Sequence, residues 1–292
     1  TLVVDNGAYS VKAGLLPANP PPSNPKYTDP LLPFSPAVLP NCTAKSRAEK
    51  KFFVADGLSS AVDLSALYLR RPHERGYVVN WDLEQEVWER MCHRDVLSVK
   101  PSETSILVSE PLLSPNELRD NLAEFCFETL GFSSFASATP GLLAYNDHRF
   151  ADPDSVLART GCGVVVDSGF SFTHVMPLFE GRVLHKACRR VDVGGKVLTN
   201  LLKEQLSYRQ YNMMNESLLL NVVKERLSYV SLDFDRDLSI SRLRGPKNTI
   251  RRFYRLPSGV EGEDPYGAVI GDSADDEPQS PSKRPKKDKE GA

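Results

Sequence analysis

The chain lacks the short patterns that mark the commonest nucleotide-binding folds. It contains neither GxxxxGK followed by Ser or Thr nor GxGxxG, which argues against a Walker-type phosphate loop and against a dinucleotide-binding turn. It also lacks any CxxC pair: its five cysteines are scattered along the sequence. A disulfide framework and a zinc site are therefore not expected, and buried reduced thiols are the simpler interpretation.

Strong charge and long apolar runs are absent as well. The formal net charge is −2 over 292 residues, so no broad basic field favours nucleic acid and sequence-specific DNA binding is not expected. The apolar runs are far shorter than the roughly 18 residues that a membrane span needs. We therefore expect no membrane partner, and no signal peptide is evident at the start of the sequence.

The most informative pattern that is present is a short phrase that occurs twice. Val4-Asp5-Asn6-Gly7-Ala8-Tyr9-Ser10 recurs in altered form as Val166-Asp167-Ser168-Gly169-Phe170-Ser171-Phe172. Each copy follows a short apolar run, and Asp-x-Gly in that position is typical of a tight turn between two strands. One copy would be weak evidence because such turns are common. Two copies in matching context indicate a duplicated hairpin.

Two such hairpins can face each other across a cleft and enclose a polyphosphate from both sides. Main-chain amides of glycine turns bind phosphate oxygens, and Mg²⁺ in proteins is held by a few carboxylates together with water. We therefore expect Asp5 and Asp167, at the ends of the two strands, to hold a metal ion through water.

Composition indicates how the chain is organised. The stretch from Pro17 to Pro40 is dense in proline, which excludes a helix or a central strand and predicts an inserted surface loop. Residues 257–292 are rich in Gly, Pro, Ser and acidic residues and then carry the basic cluster Lys283–Lys287. This predicts a disordered tail, whose basic cluster is either a nuclear import signal or simply solvated charge.

Apolar spacing predicts the ordered elements between these segments. We expect a helix after Asn80 that includes Trp88 and Met91, a buried strand over Ser105–Ser109, and a further helix over 218–230. Ser114-Pro115-Asn116-Glu117 has the spacing of a capping box and predicts the start of another helix.

Six segments in order carry a resemblance to a known family: Asp5-Asn6-Gly7 with Lys12-Ala13-Gly14, Val79-Asn80-Trp81-Asp82, Ser109-Glu110-Pro111-Leu112, Val166-Asp167-Ser168-Gly169, Val193-Gly194-Gly195-Lys196 and Val223-Lys224-Glu225. Taken together, they resemble the actin family, and most closely its nuclear actin-related members. The resemblance ends near Leu256, so we expect a C-terminally truncated chain that lacks the rest of the second lobe.

The resemblance implies an α/β fold of the duplicated actin-like ATPase (ribonuclease H-like) type, with two lobes around a nucleotide cleft and the second lobe incomplete. Residues 1–160 would form the first lobe and 161–256 part of the second. ATP or ADP with Mg would be a structural ligand that closes the lobes, with Lys12 aimed at the distal phosphates. The residues expected to hold it are Asp5, Asn6, Gly7, Ala8, Tyr9, Lys12, Asp167, Ser168, Gly169, Ser171, Phe172, Gly195, Lys224 and Glu225.

Three departures from the family pattern weaken the case for catalysis. Ala8-Tyr9 stands where actin has Ser-Gly, Phe170-Ser171 where actin has Asp-Gly, and Thr139 where actin has the glutamine that positions the attacking water. Hydrolysis of a phosphoanhydride depends on positioning and electrostatic stabilisation. The cleft is therefore expected to hold a nucleotide rather than to split it.

The resemblance implies a non-catalytic subunit of a nuclear chromatin-remodelling complex of the histone-variant exchange type. Such a subunit would be a scaffold and nucleosome-facing adaptor that contacts other subunits directly and histones indirectly, located in the nucleus and also in the cytoplasm. The main alternative is a filament-forming actin-like ATPase of the cytoskeleton. A sugar kinase or chaperone ATPase on the same fold is a third possibility, since a fold alone does not decide among these functions.

Overall fold

The computed structural model describes residues 1–16, 36–46, 51–61, 67–209, 212–257 and 264–270. Contacts divide the chain into two compact units, Thr1–Asn215 and Glu216–Ala292. The predicted lobe boundary at residue 160 falls inside the first unit. An apolar cluster spans this boundary: Leu112 and Tyr145, before it, pack with Met176 and Leu178, after it.

Strands and helices alternate irregularly along the first unit. Its elements are β1 (Leu2–Asn6), β2 (Ser10–Leu15), β3 (Ala37–Pro40), β4 (Thr43–Ser46), β5 (Phe52–Val54), β6 (Leu67–Arg70), β7 (His73–Glu74), β8 (Tyr77–Val78), α1 (Trp81–Cys92), β9 (Ser105–Ser109), α2 (Asn116–Glu124), β10 (Ser134–Ala138), α3 (Pro140–Ala151), α4 (Val156–Thr160), β11 (Gly163–Ser168), β12 (Thr173–Phe179), β13 (Arg182–Val183), β14 (Arg189–Val191) and α5 (Gly195–Arg209).

The first predicted hairpin lies in a five-stranded sheet with the order β10-β9-β1-β2-β3. Its central strand β1 pairs antiparallel with β2 and parallel with β9. Leu2 and Val4 alternate with outward-facing residues along β1 and are fully buried in a cluster that also contains Trp88 and Met91 of α1. The strand and the helix predicted here are confirmed, and their packing fixes the position of the turn that follows β1.

The second predicted hairpin, β11–β12, is also confirmed, and it belongs to a separate sheet. β12 pairs antiparallel with β11, β13 and β14, so β11 lies at an edge. One face of β12 is buried through Met176 and Leu178. In contrast, Val164 and Val166 of β11 are 63% and 62% exposed.

The second unit is small and contains α6 (Ser217–Leu227), α7 (Phe234–Ser241), β15 (Phe253–Arg255) and β16 (Ala268–Ile270). β15 and β16 pair antiparallel. Arg226 of α6 donates to the carbonyl oxygen of Gly267 at 2.6 Å and to a carboxylate oxygen of Asp264 at 2.9 Å. The predicted disordered tail is therefore wrong for residues 264–270, because a strand partner and an arginine bind this segment. Residues 258–263 and 271–292 lie outside the described part.

Two further predictions need correction. Residues 17–35 of the proline-dense segment lie outside the described residues, but Ala37–Pro40 is a strand that pairs with β2. A proline is tolerated there because β3 is an edge strand. The predicted capping box is also wrong: Pro115 occupies the N-cap of α2 and no side chain caps the helix.

Among the described residues, none of the helices has the length and apolar character that crossing a bilayer requires.

Candidate functional site

The turn between β1 and β2 is the first half of the site. The amide of Gly7 donates to the carbonyl oxygen of Asp5 at 3.1 Å, which closes the turn. A Cβ atom on Gly7 would lie 2.7 Å from the carbonyl oxygen of Ser10, so only glycine fits this position without a shift of the backbone.

The Asp5 carboxylate is fixed from two sides. The hydroxyl of Ser109, at the end of the neighbouring β9, donates to Asp5 Oδ1 at 2.8 Å and accepts from the Asn6 amide at 3.0 Å. Lys12 Nζ donates to Asp5 Oδ2 at 3.1 Å, and both side chains are about half exposed. The carboxylate and the ammonium group are therefore positioned at the surface of the cleft and remain accessible to a ligand.

A buried polar network lies beneath this first turn. Asn41 is fully buried and its Nδ2 donates to the carbonyl oxygen of Gly7 at 3.1 Å. The same amide lies 3.4 Å from His73 Nδ1, which is in turn 3.7 Å from Glu84 Oε2. Trp88 Nε1 donates to the other Glu84 oxygen at 3.0 Å. The turn therefore rests on a chain of polar side chains that extends into the core.

Burial controls the protonation of this network. It raises the pKa of Glu84 to about 7, although hydrogen bonds from Asn6, Trp88 and Asn41 favour the charged form. Burial, together with the nearby Arg71 guanidinium, lowers the pKa of His73 to about 4. Burial thus shifts the pKa of each group in the direction that favours its neutral form, as expected for ionisable side chains removed from water.

The turn between β11 and β12 is the second half of the site. The Gly169 amide donates to the carbonyl oxygen of Phe172 at 2.9 Å. The start of α5 supports the turn from behind, because the amides of Gly195 and Lys196 donate to the carbonyl oxygens of Gly169 and Phe170 at 3.0 and 2.8 Å. A Cβ atom on Gly194 would lie within 2.7 Å of both of these oxygens, so the helix can approach only through a glycine.

His174 lies directly behind the second turn and is almost completely buried. Burial lowers its pKa and the nearby Arg190 guanidinium lowers it further, against the opposing charges of Asp167 and Asp192. Its ring is centred 4.4 Å from that of Phe172. The second turn therefore packs on a neutral imidazole.

The two turns line one cavity of about 260 Å³. Every predicted residue of the two loops contributes to its wall, so the structure brings the two halves of the duplicated phrase together. Those residues are Asp5, Asn6, Gly7, Ala8, Tyr9, Lys12, Asp167, Ser168, Gly169, Ser171 and Phe172.

Three predicted residues do not line this cavity. Gly195 supports the second turn through its amide instead. Lys224 and Glu225 belong to the second unit, where both bond to Asn221 of the same helix, Lys224 Nζ at 3.0 Å and Glu225 Oε1 at 2.7 Å. Their contact with the adenosine of a nucleotide stays a prediction.

Within the described residues, His, Cys, Asp and Glu side chains do not converge in threes to form a direct metal site. Asp5 and Asp167 both line the cavity, which is compatible with the predicted contact to Mg²⁺ through water. The metal role of the two aspartates stays a prediction.

Comparison with known proteins identifies the family. The family model described as Actin matches residues 1–264. The chain belongs to the actin family.

Three of the curated proteins that the chain resembles are named actin-related or actin-like proteins. The chain is 42% identical over 260 residues to "Actin-related protein 6" of Oryza sativa subsp. indica, covering 89% of this chain and 57% of that protein. It is 38% identical over 262 residues to the protein of the same name from Arabidopsis thaliana, covering 89% and 58%. It is 36% identical over 256 residues to "Actin-like protein ARP6" of Cryptococcus neoformans, covering 88% and 49%. This actin-family chain spans about half the length of the curated relatives it matches.

Sequence reasoning missed several residues that shape the actin-family site. Gly76, Pro111 and Pro140 also line the cavity, and Arg71 and Arg190 contact its aromatic residues. Gly76 has a φ of +84°, a conformation that favours glycine. The glycine at this position could therefore have predicted a turn here. Arg71 carries no sequence signal, because its role depends on side chains that are distant along the chain.

Proposed function

We propose that this actin-family chain is a non-catalytic actin-related subunit of a nuclear chromatin-remodelling complex of the histone-variant exchange type. It would be a scaffold and nucleosome-facing adaptor whose cleft holds a nucleotide without hydrolysing it. The similarity to proteins named actin-related protein 6 supports the choice among family members. The observation that carries the non-catalytic part is the chemistry of the two turns.

Aromatic side chains stand at both turns where small or polar residues would assist hydrolysis. The Tyr9 and Phe170 rings pack on each other with centroids 5.1 Å apart. Neither ring supplies the carboxylate that would organise metal and water. Thr139, at the N-cap of α3, has no amide to position an attacking water. Each loss of about 1.4 kcal/mol of transition-state stabilisation slows a reaction tenfold, so several absent groups together favour retention of the ligand over turnover.

The residues at the cavity fit a phosphate-bearing ligand with a divalent cation. Gly7 supports a turn that a Cβ atom would disrupt, and turns of this kind present main-chain amides to anions. Asp5 and Asp167 would contact Mg²⁺ through water, and Lys12 would bind the distal phosphates. When ATP or ADP is bound, its Mg²⁺ would offset the negative charges of the phosphates and of the two aspartates.

The proposed partners are the other subunits of the remodelling complex, with histones and the nucleosome contacted indirectly through them. The proposed location is the nucleus, with a cytoplasmic fraction. Lys283–Lys287 would supply the nuclear import signal. This part of the proposal rests on the family resemblance.

The test is affinity purification of the tagged chain from nuclear extract, with partners identified by mass spectrometry. Adenine nucleotide and phosphate release are then measured on the tagged chain after high salt has removed its partners and it has been repurified. We expect a remodelling ATPase and its subunits to copurify in the first step, and the repurified chain to retain bound nucleotide with phosphate release at background. Asp5→Asn and Asp167→Asn should reduce the bound nucleotide, whereas the charge-matched control Asp147→Asn, on the exposed side of α3, should not.

Two outcomes would contradict the proposal in different ways. Recovery of the chain with itself and actin alone, together with phosphate release, would indicate the filament-forming ATPase. If the remodelling subunits copurify and Asp167→Asn holds as much nucleotide as Asp147→Asn, the adaptor role would stand, and the proposal that the cleft binds the nucleotide would be wrong.

A further inference from the structure

Two arginines stack on aromatic rings that come from opposite sides of the cleft. The first is Arg71, whose guanidinium carbon lies 4.8 Å from the ring centroid of Tyr9 and 5.1 Å from that of Phe170. Its Nη1 also donates to the carbonyl oxygens of Tyr9 at 3.0 Å and Asn41 at 3.2 Å. One side chain thus contacts the first turn through its backbone and both turns through their rings.

The second is Arg190, which repeats this arrangement about a different pair of rings. Its guanidinium carbon lies 4.9 Å from the ring centroid of Tyr77 and 4.2 Å from that of Phe172. Nη1 donates to the Tyr77 hydroxyl at 2.7 Å, Nη2 to the Arg75 carbonyl oxygen at 2.8 Å, and Nε to Asp192 at 2.8 Å. Arg190, on β14, therefore connects Phe172 of the second turn to the segment that precedes α1.

A third contact joins the same two segments without an arginine. Gly76 has a φ of +84°, and a Cβ atom there would lie 2.0 Å from the Phe172 ring. The backbone before α1 can approach the second turn this closely because residue 76 has no side chain.

We propose that Tyr9, Arg71, Tyr77, Phe170, Phe172 and Arg190 form an arginine–aromatic clamp that holds the two turns together whether or not a ligand is bound. Guanidinium groups suit this role because they stack on rings and donate in several directions at the same time. Arg71 and Arg190 are then positioning residues. From the sequence we expected a nucleotide to close the lobes. In this proposal the side chains hold the cleft closed, and the nucleotide occupies a cleft that is already closed.

The ion pair at the cavity lies within the first hairpin, because Lys12 pairs with Asp5, and it does not join the two turns. The rings of Tyr9 and Phe170 line the cavity from opposite turns, and Arg71 stacks on both of them. The clamp therefore supplies contacts between the turns that need no ligand.

Hydrogen–deuterium exchange of the full chain tests the clamp, with peptides that cover 2–15, 163–179 and α1. In the wild-type chain we expect the two hairpins to exchange at rates within about twofold with MgADP and after its removal by EDTA and dialysis. In the double variant Arg71→Met/Arg190→Met, both hairpins should exchange about tenfold faster or more without ligand, while α1 stays protected. The control Arg159→Met/Arg182→Met replaces two exposed arginines and should match the wild type.

Two results would overturn the proposal. One is a wild-type chain whose hairpins lose their protection when MgADP is removed, and the other is a double variant that exchanges like the control. If α1 also loses protection in the double variant, the single variants Arg71→Lys and Arg190→Lys decide. They retain the charge and lose the planar fork, so faster exchange confined to the hairpins is expected, and unchanged exchange refutes the clamp. The comparison of variants without ligand holds even if the chain binds no nucleotide, so it is independent of the proposed function.

Discussion

The first hairpin has its leading strand in the middle of a five-stranded sheet, whereas the second has its leading strand at the edge of a smaller sheet. Val4 and Val166 occupy the same place in the duplicated phrase, yet Val4 is fully buried and Val166 is 62% exposed. The first turn rests on buried Asn41, the second on the amides at the start of α5. A repeated sequence pattern thus reproduces the turn, while the support beneath it differs in each half.

The largest expected effect concerns the charge buried beneath the first turn. The pKa of Glu84 is raised from 4.5 to about 7, so its contribution to stability is fully present below pH 4.5 and is lost as the pH rises through 7. At 1.36 kcal/mol per pKa unit this loss is about 3 kcal/mol. Glu84→Gln should therefore gain about 3 kcal/mol relative to the wild type between pH 5 and pH 9 in urea unfolding.

Exposed Glu117 provides the control, and Glu117→Gln should show no such pH-dependent gain.

The stability of the second turn should depend on pH in the opposite direction. Because the pKa of His174 is lowered, its contribution is lost as the pH falls from 6.5 toward its folded pKa. His174→Gln should therefore gain stability relative to the wild type on acidification. If both variants gained stability relative to the wild type in the same direction of pH change, this contrast would be wrong.

The matched valines give the next largest effect. Val4→Ala removes buried methyl groups from the cluster around Trp88 and should lower the free energy of unfolding by about 2 kcal/mol. Val166→Ala removes them from an exposed strand edge and should change it by less than about 0.5 kcal/mol. Urea unfolding of both variants measures the difference, and equal losses would show that the edge of β11 is covered in solution.

Hydroxyl deletions give the smallest effect. Ser109→Ala removes a donor to Asp5 and the acceptor of the Asn6 amide, which should lower stability by about 1 kcal/mol and loosen the first turn. Thr173→Val removes the hydroxyl that donates to Val193 at 2.8 Å in a more exposed setting, and should lower stability by about 0.5 kcal/mol. Thermal unfolding compares the two variants, and a larger loss of stability for Thr173→Val than for Ser109→Ala would contradict this expectation.

Local pattern was sufficient to predict the parts of the molecule that short-range chemistry determines. The two hairpins, the helix of Trp88 and the strand Ser105–Ser109 follow from strand-forming runs, glycine turns and apolar spacing. The facing of the two turns, with Asp5 and Asp167 at the cavity, was predictable for the same reason. The resemblance to the actin family supplied the other residues expected at the cavity and the fold.

The supports of the site were not predictable, because they depend on contacts between distant residues. Arg71 contacts Phe170 only in the folded chain. A glutamate in a helix usually lies at the surface, whereas the Glu84 side chain is buried. The small sheet β5-β4-β6 was not predicted. Nor was β16, because the composition of its segment is typical of disorder. In each case tertiary contacts override the local preference.

The pairing of β2 with β3 has a practical consequence. Ser10 through Ala13 pair with Pro40 through Ala37, so the register of the two strands is set on both sides of residues 17–35 by residues outside that segment. For a flexible loop, each doubling of length costs only about 0.6 kcal/mol of folding free energy. We therefore expect an affinity tag or a fluorescent domain inserted within residues 17–35 to leave the β2–β3 register and both termini unaltered.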